Sequence, residues 1–237
     1  VKKLSKSFSK GNVVLNQINF HVNKGEIFGI LGPNGSGKTT IFNLILGVLA
    51  ADGGVISING ETINSYPIHE RCNRWKISYV PQNSACFLGL SVESNLEAVG
   101  EIKIKDKVKR KEKVQELLVK FNLENKKNIL ARSLSGGEKK RLAISLALIT
   151  RPDILLLDEP FSALDPLSVE TIRDIISDLQ KNLISSIISD HNITSTLMSV
   201  DRAILLANSL VIAEGRPRDL LSNKLAQKMY FGSDFKI

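Results

Sequence analysis

The segment that most restricts the possible folds is the glycine-rich run Gly32-Pro33-Asn34-Gly35-Ser36-Gly37-Lys38-Thr39. It directly follows a short apolar run at 26–31, which has the composition of a buried strand. It precedes residues 38–48, whose apolar positions have the spacing of a helix. Strand, tight loop and helix in this order are a building unit of α/β folds with a parallel sheet. The sequence therefore predicts an α/β fold.

The same run fits the pattern G-x-x-x-x-G-K-[ST], in which backbone N–H groups surround phosphate oxygens at the start of a helix. Lys38 would provide a positive charge for the β- and γ-phosphates, and the Thr39 hydroxyl would bind magnesium. A glycine-rich turn that happens to precede a helix is disfavoured, because the motif and its context occur together. The predicted nucleotide contacts are Gly32, Pro33, Asn34, Gly35, Ser36, Gly37, Lys38, Thr39 and Thr40.

A second apolar run, 154–157, ends in two acidic residues. The run shows no polar alternation, as expected for a parallel strand that is covered on both faces. Carboxylates at the carboxyl end of such a strand face the crevice where open α/β sheets bind ligands. We predict that Asp158 binds magnesium and that Glu159 polarises the attacking water. Two solvated acids would explain the charge but not its position.

The order of helix and strand patterns along the chain divides it into a core and a subdomain. A helix-rich stretch, 84–150, separates two portions with α/β patterns, and within it four apolar residues share one helical face. Those residues are Val114, Leu117, Leu118 and Phe121. Outside it, strands are predicted at 13–22, 183–189 and 202–206, and helices at 192–200 and from Pro166, capped by Asp165. We predict a nucleotide-binding core of 1–83 and 151–237 and a helical subdomain of 84–150.

Composition excludes several classes of protein. A hydrophobic fraction of 43% with 24% charged residues is ordinary for a globular chain, and two cysteines are too few for a disulfide framework. We find neither a signal peptide nor an apolar run of the roughly 20 residues that span a bilayer. A membrane role would therefore require a partner. The basic run 103–113 is interpreted as a solvated helix face rather than a nucleic-acid site, because no aromatic residues interleave.

Leu134-Ser135-Gly136-Gly137-Glu138 narrows the class of nucleotide-binding protein. Ser135 and Glu138 alone could form a capping box for the following helix. A capping box does not need two glycines, each of which costs a helix about 1 kcal/mol, so close approach of the backbone to a ligand is favoured. The segment resembles the LSGG[EQ] signature of the ABC ATPase family. That resemblance implies that Ser135, Gly136, Gly137 and Glu138 contact the γ-phosphate of ATP bound by the opposite subunit.

Further motifs of that family follow in order along nearly the whole chain. Gln82 resembles the Q-loop glutamine, which contacts metal and water. Residues 162–165 (SALD) resemble the D-loop, so Asp165 is expected near nucleotide. His191 resembles the switch histidine that reaches the γ-phosphate. Phe8 stands where the family has an aromatic that stacks on adenine, although a core position is an equal alternative.

The resemblance implies a P-loop NTPase core sheet with an antiparallel β part and a smaller helical subdomain. It also implies ATP and Mg²⁺ as cofactors, and a homodimer in which two chains pair head-to-tail around two ATP molecules. Two integral inner-membrane permeases would dock in a groove near Gln82 and Phe87. The chain itself would lie on the cytoplasmic face of the inner membrane, with no nucleic-acid partner.

Within the family, the chain looks most like the lipopolysaccharide-export ATPases. The similarity includes the tail 229–237 (MYFGSDFKI), residues 189–192 (SDHN) and Phe87 with 90–96 (LSVESNL). Branched-chain amino-acid importer ATPases are the alternative, and a soluble non-transport ABC ATPase is a further one. Two features depart from the pattern. Leu146 replaces a usual arginine, which could reduce turnover, and 162–164 (SAL) replaces the alanine-glycine-valine form common among exporters.

Overall fold

The computed structural model describes residues 1–9, 11–83 and 85–231. Eleven strands are present in these ranges: β1 Lys2–Ser9, β2 Asn12–Ile18, β3 Ile27–Leu31, β4 Gly53–Val55, β5 Ser57–Ile58, β6 Glu61–Thr62, β7 Ile77–Val80, β8 Ile154–Asp158, β9 Ser185–Asp190, β10 Arg202–Ala207 and β11 Leu210–Gly215. The helices are α1 Lys38–Leu46, α2 Ile68–Arg74, α3 Val92–Lys103, α4 Lys107–Lys120, α5 Gly136–Leu148, α6 Pro166–Lys181, α7 Ile193–Leu197, α8 Pro217–Ser222 and α9 Lys224–Ala226. A short π-helical segment, Gln227–Phe231, ends the described chain.

The central sheet has six strands in the order β11-β10-β3-β9-β8-β7. The five strands from β10 to β7 are parallel to one another, and β11 runs antiparallel at one edge. A separate three-stranded antiparallel sheet, β2-β1-β4, packs beside it. The predicted α/β core with an antiparallel part is confirmed.

The apolar residues of the parallel strands are divided between the two faces of the sheet. In β8, Leu155 and Leu157 join one hydrophobic cluster, whereas Leu156 joins the other. Successive side chains in a strand point to opposite faces, so a strand covered on both sides has no polar position. One cluster includes α3 to α6, and the other includes α1 and the antiparallel sheet.

The predicted helical face in the middle of the chain is confirmed. Val114, Leu117 and Leu118 are buried on α4, and Phe121 is buried at its C-terminal cap. They pack in the same cluster as Leu142 of α5. The helix-rich segment thus shares its hydrophobic core with one face of the central sheet.

Candidate functional site

The candidate site forms because four loops leave the same edge of the sheet. The register pairs Leu31 of β3 with Asp190 of β9, and Asp158 of β8 with Ser189 of β9. Val80 of β7 pairs with Leu157 of β8. The segments that follow β3, β7, β8 and β9 are therefore neighbours in space. In the sequence they are far apart: Ser189 lies 158 positions after Leu31. This edge is where open α/β sheets bind ligands.

The phosphate loop has a conformation that depends on glycine. Gly37 caps α1 with a φ of 100°, and a Cβ there would lie 2.7 Å from Leu15 Cδ2. The Oγ of Ser36 is buried and has no hydrogen-bond partner among the described residues. A buried polar atom without a partner is uncommon and requires a reason. Phosphate oxygens at the N-terminus of α1 would provide the missing partner, so the loop fits a nucleotide.

Lys38 is the first residue of α1 and is 6% exposed. Its Nζ donates to the carbonyl oxygens of Gly32, at 2.8 Å, and Pro33, at 3.0 Å. Burial lowers the pKa of Lys38, and the nearby acids Glu159, Asp158 and Asp190 partly oppose that effect. The lysine is thus held against the phosphate loop, with its charge facing a cluster of acids.

Asp158 is 2% exposed and is surrounded by hydroxyl groups. Its Oδ2 accepts from Thr39 Oγ1 at 3.0 Å and from the Tyr79 hydroxyl at 3.1 Å, and its Oδ1 accepts from Ser189 Oγ. Burial and the adjacent Asp158 raise the pKa of Tyr79, so its hydroxyl remains a donor. A carboxylate and a hydroxyl are ligands that suit Mg²⁺, which keeps several waters and needs few protein groups. Thr39 and Asp158 therefore fit a magnesium ion.

Glu159 lies at the centre of the second part of the site. Its Oε2 accepts from Gln82 Nε2 at 2.7 Å and lies 3.4 Å from His191 Nδ1. Its φ of 49° is in the left-handed region, which costs a non-glycine residue about 1–2 kcal/mol. Its backbone N–H donates to Ser189 O at 2.6 Å, which holds this conformation. The strained backbone turns the carboxylate towards Gln82 and His191, and such strain is typical of functional sites.

Besides Ser189 and Tyr79, two other residues of this site were not predicted, and both are buried. Asp190 is fully buried, and its carboxylate accepts from the backbone N–H groups of Phe161 and Asn192, both at 2.9 Å. Burial raises the pKa of Asp190. Lys140 of α5 donates to the carbonyl oxygens of Gln82, at 3.3 Å, and Glu159, at 3.2 Å.

Each of these residues had a signal in the sequence. Asp190 ends an apolar strand, as Asp158 does. Lys140 follows Gly136 and Gly137 at i+4 and i+3, which places it on the same helix face. Asp190 joins the segment before His191 to the backbone at Phe161, and Lys140 joins α5 to the backbone at Glu159.

The signature segment, 134–138, makes contacts within itself and with α6 rather than with the phosphate loop. Ser135 and Glu138 form a capping box: Glu138 N–H donates to Ser135 Oγ at 3.2 Å, and Ser135 N–H donates to Glu138 Oε2 at 2.8 Å. A Cβ on Gly137 would lie 2.9 Å from the Cβ of Ser168 and closer still to its Oγ, whereas one on Gly136 would meet nothing nearer than 3.6 Å. Gly137 therefore has a packing requirement within this chain. Ser135 and Gly136 are exposed and remain available to a ligand.

The two glycines give a matched pair for experiment. We expect Gly137→Ala to lower the free energy of unfolding by about 1–3 kcal/mol, because the added methyl overpacks against Ser168. Gly136→Ala should change it by less than about 1 kcal/mol. Chemical denaturation of both variants measures the difference. In a double-mutant cycle with Ser168→Gly, an unchanged penalty for Gly137→Ala would contradict the assignment of the contact.

Asp165 and Phe8 lie outside the group that contacts Glu159. Asp165 caps α6, and it accepts from Ser168 N–H at 2.9 Å and Ser168 Oγ at 2.6 Å. Phe8 is 55% exposed on β1, so it is not a core residue. β1 pairs with β2, whose Leu15 packs near the phosphate loop at Gly37. An exposed ring beside this strand pair is available for stacking.

The fold and the site define a phosphate-loop NTPase, and comparison with known proteins gives its family. Residues 15–162 match the ABC transporter family model. The chain is 40% identical over 238 residues to the lipopolysaccharide export system ATP-binding protein LptB of Haemophilus influenzae, covering 100% of this chain and 98% of that protein. Identity to LptB of Escherichia coli K12 is 39% over 239 residues, with the same coverage.

Solved structures agree with this result. A nucleotide-free ATP-binding cassette from an ABC transporter superposes with a TM-score of 0.86 at 27% identity and covers 98% of each chain. A dimeric bacterial ABC transporter cassette superposes with a TM-score of 0.81 at 28% identity, covering 92% of this chain and 97% of that one. This chain belongs to the ABC transporter family. It is an ATP-binding member, and its activity is ATP hydrolysis. None of the helices in the described part of the chain combines the length and the apolar composition of a bilayer-spanning segment.

Proposed function

We propose that this chain powers the export of lipopolysaccharide, from the inner membrane towards the outer membrane, by hydrolysing ATP. The observation that carries the proposal is identity of 39–40%, over almost the full length of both chains, to two LptB proteins. Part of the tail pattern that resembles the lipopolysaccharide-export ATPases, 232–237, lies outside the described residues. Residues 189–192 and the loop around Phe87 lie within them.

The contacts at the sheet edge support a distinct role for each residue in ATP hydrolysis. Glu159 acts as the general base and polarises the attacking water, while the amide of Gln82 orients its carboxylate. His191 reaches the γ-phosphate from beside Glu159, and Lys38 contacts the β- and γ-phosphates. Thr39, Asp158 and Gln82 would hold Mg²⁺, which would neutralise charge on the phosphates. The other residues of 32–40 surround the phosphates, and Phe8 stacks on adenine.

A head-to-tail homodimer completes the site in this proposal. Within the described chain, Ser135 and Glu138 contact each other and Lys126, not the phosphate loop. A two-fold axis would bring the exposed Ser135 and Gly136 of one chain to the nucleotide of the other, with Asp165 nearby. A dimeric cassette with similar structure supports this arrangement.

The permeases would dock on a loop at the boundary between the core, 1–83 and 151–237, and the helical subdomain, 84–150. We define the docking loop as residues 85–91. Its apolar side chains are unusually exposed: Phe87 is 54% exposed, Leu88 51% and Leu90 39%. Exposed apolar patches of this kind mark interaction sites. The chain would thus be held at the cytoplasmic face of the inner membrane.

The buried side chain of Asn95 holds the docking loop. Its Oδ1 accepts from Phe87 N–H at 2.7 Å, and its Nδ2 donates to the carbonyl oxygens of Phe87 (3.0 Å), Ser91 (2.9 Å) and Leu90 (3.3 Å). We expect Asn95→Ala to abolish permease stimulation of hydrolysis while the basal rate of the isolated chain stays within about twofold, because the loop loses a fully buried side chain that makes four hydrogen bonds to its backbone.

Asn64→Ala is the matched control for Asn95→Ala. Asn64 also bonds to backbone groups, at Ile56 N–H and at Gly54 O of β4, but it is exposed and lies in the antiparallel part. Melting temperatures of both variants, compared with stimulated and basal ATPase rates, separate positioning from stability. If both variants lose stimulation in proportion to their stability, Asn95 has no special part in docking.

The proposed function is tested by affinity purification from native membranes. A tagged Glu159→Gln variant with ATP should retain the assembled complex, and mass spectrometry should then identify its membrane partners. Two related permeases that co-elute with lipopolysaccharide would support export. Permeases of an amino-acid importer would overturn the substrate while leaving the ATPase assignment intact.

A further inference from the structure

A strongly basic surface lies at the turn between α3 and α4. We define the basic corner as residues 101–113, which contain seven lysines and arginines and three acidic residues. The segment therefore carries half of the chain's net charge of +8. Such a concentration is sufficient to attract an anionic surface.

Most of the lysines in the basic corner do not pair with other described residues of the chain. Lys105, Lys107, Lys109 and Lys111 are exposed, and none makes an ion pair or side-chain hydrogen bond with another described residue. By contrast, Arg110 pairs with Glu97 at 3.1 Å and Lys113 with Glu116 at 2.7 Å. The four free lysines thus contribute little to the fold.

The corner also exposes apolar side chains among the lysines. Ile102 is 70% exposed and Val108 is 66% exposed, more than any other large apolar residue described except Leu167. A surface that is only solvated does not need them, and a nucleic-acid site would favour aromatic residues, of which 101–113 has none. Lysines around protruding aliphatic groups are typical of surfaces that contact lipid headgroups.

We propose that the basic corner binds the anionic headgroups of the bilayer that contains the permeases. Its proximity to the bilayer rests on the proposed function: α3, 12 residues or about 18 Å long, joins the docking loop to the corner. Lysines bind the headgroup charges, and Ile102 and Val108 enter the interface. The contact would orient the chain on the membrane independently of the docking loop.

Vesicle flotation tests the proposal without permeases. The purified full chain is mixed with phosphatidylcholine vesicles, with or without phosphatidylglycerol. We expect binding only to the anionic vesicles, weakened by salt. A variant with Lys105→Glu, Lys107→Glu and Lys109→Glu should bind at least tenfold more weakly. Positions 107 and 109 lie in the first turn of α4, where acids suit the helix dipole, so the helix should persist.

The control variant carries the same change in net charge elsewhere, as Lys2→Glu, Lys24→Glu and Lys224→Glu, all at exposed positions. It should bind anionic vesicles as the unmodified chain does. Equal loss in both variants, or no vesicle binding, would overturn the proposal, as would binding of a DNA duplex by the corner in preference to vesicles. The basal ATPase rate, measured in parallel, reports separately on the proposed function and should be unchanged in both variants.

Discussion

Glu159→Gln should lower the rate of ATP hydrolysis by about 10²–10⁴-fold, the contribution usual for a general base. The amide keeps the size of the carboxylate and can still accept the hydrogen bond from Gln82 Nε2, so the loop should be preserved. It cannot take a proton from water at neutral pH. Nucleotide binding should persist, because Lys38 and the phosphate loop are unchanged. Steady-state turnover and equilibrium binding of a fluorescent ATP analogue measure the two effects.

The variant should also accumulate as a dimer with ATP, because a bound nucleotide that is not hydrolysed keeps the two chains together. Size-exclusion chromatography with and without ATP detects this change. Glu170→Gln, at an exposed position on α6, is the control and should hydrolyse ATP normally. If Glu159→Gln retained normal turnover, the general-base assignment would have to be abandoned.

The core of the candidate site could be predicted because its motifs are local. The conformation of a phosphate loop can be predicted from its glycines and lysine, which lie within eight residues. A buried apolar run that ends in acidic residues likewise predicts a strand and the sheet edge at which it ends. The sheet register then joins these segments without further information. Once β3, β8 and β9 are adjacent, Leu31, Asp158 and Asp190 must be neighbours.

Boundaries of elements were predicted less well, for reasons that lie in the backbone. The apolar pattern of 13–22 suggested one long strand, but β2 ends at Ile18, and residues 19–22 lead into the core without strand pairing. The helical pattern of 38–48 continued beyond the true end of α1 at Leu46. Gly47 adopts a φ of 82° and stops the helix.

Contacts between distant segments could not be deduced from local pattern. The requirement for Gly137 arises from Ser168 on α6, and the docking loop is held by Asn95 on α3. Leu146, where a family arginine was expected, is buried among apolar residues of the same cluster as Leu142 and Leu157. A leucine there fills space in the core, so its replacement of a charged residue is compatible with folding.

Lys38→Ala should weaken ATP binding by about 100-fold, equivalent to about 2.7 kcal/mol. Among the described residues, Lys38 is the buried cation that donates to the phosphate loop, since Lys140 donates instead to Gln82 O and Glu159 O. Removing it also takes away one of the buried lysines whose charges lie near Asp158 and Glu159, so the triphosphate would enter a more acidic site. Isothermal titration with ATP and Mg²⁺ measures the affinity.

Stability should respond to Lys38→Ala much less than affinity does. The lysine bonds to Gly32 O and Pro33 O, but its burial has a desolvation cost, which lowers its pKa and offsets part of what these bonds contribute to stability. We therefore expect a change of less than about 1 kcal/mol in the free energy of unfolding without nucleotide. Lys24→Ala, at an exposed position, is the control for affinity. A large loss of stability in Lys38→Ala, with affinity lost only in proportion, would mean that Lys38 acts by holding the loop rather than by binding phosphate.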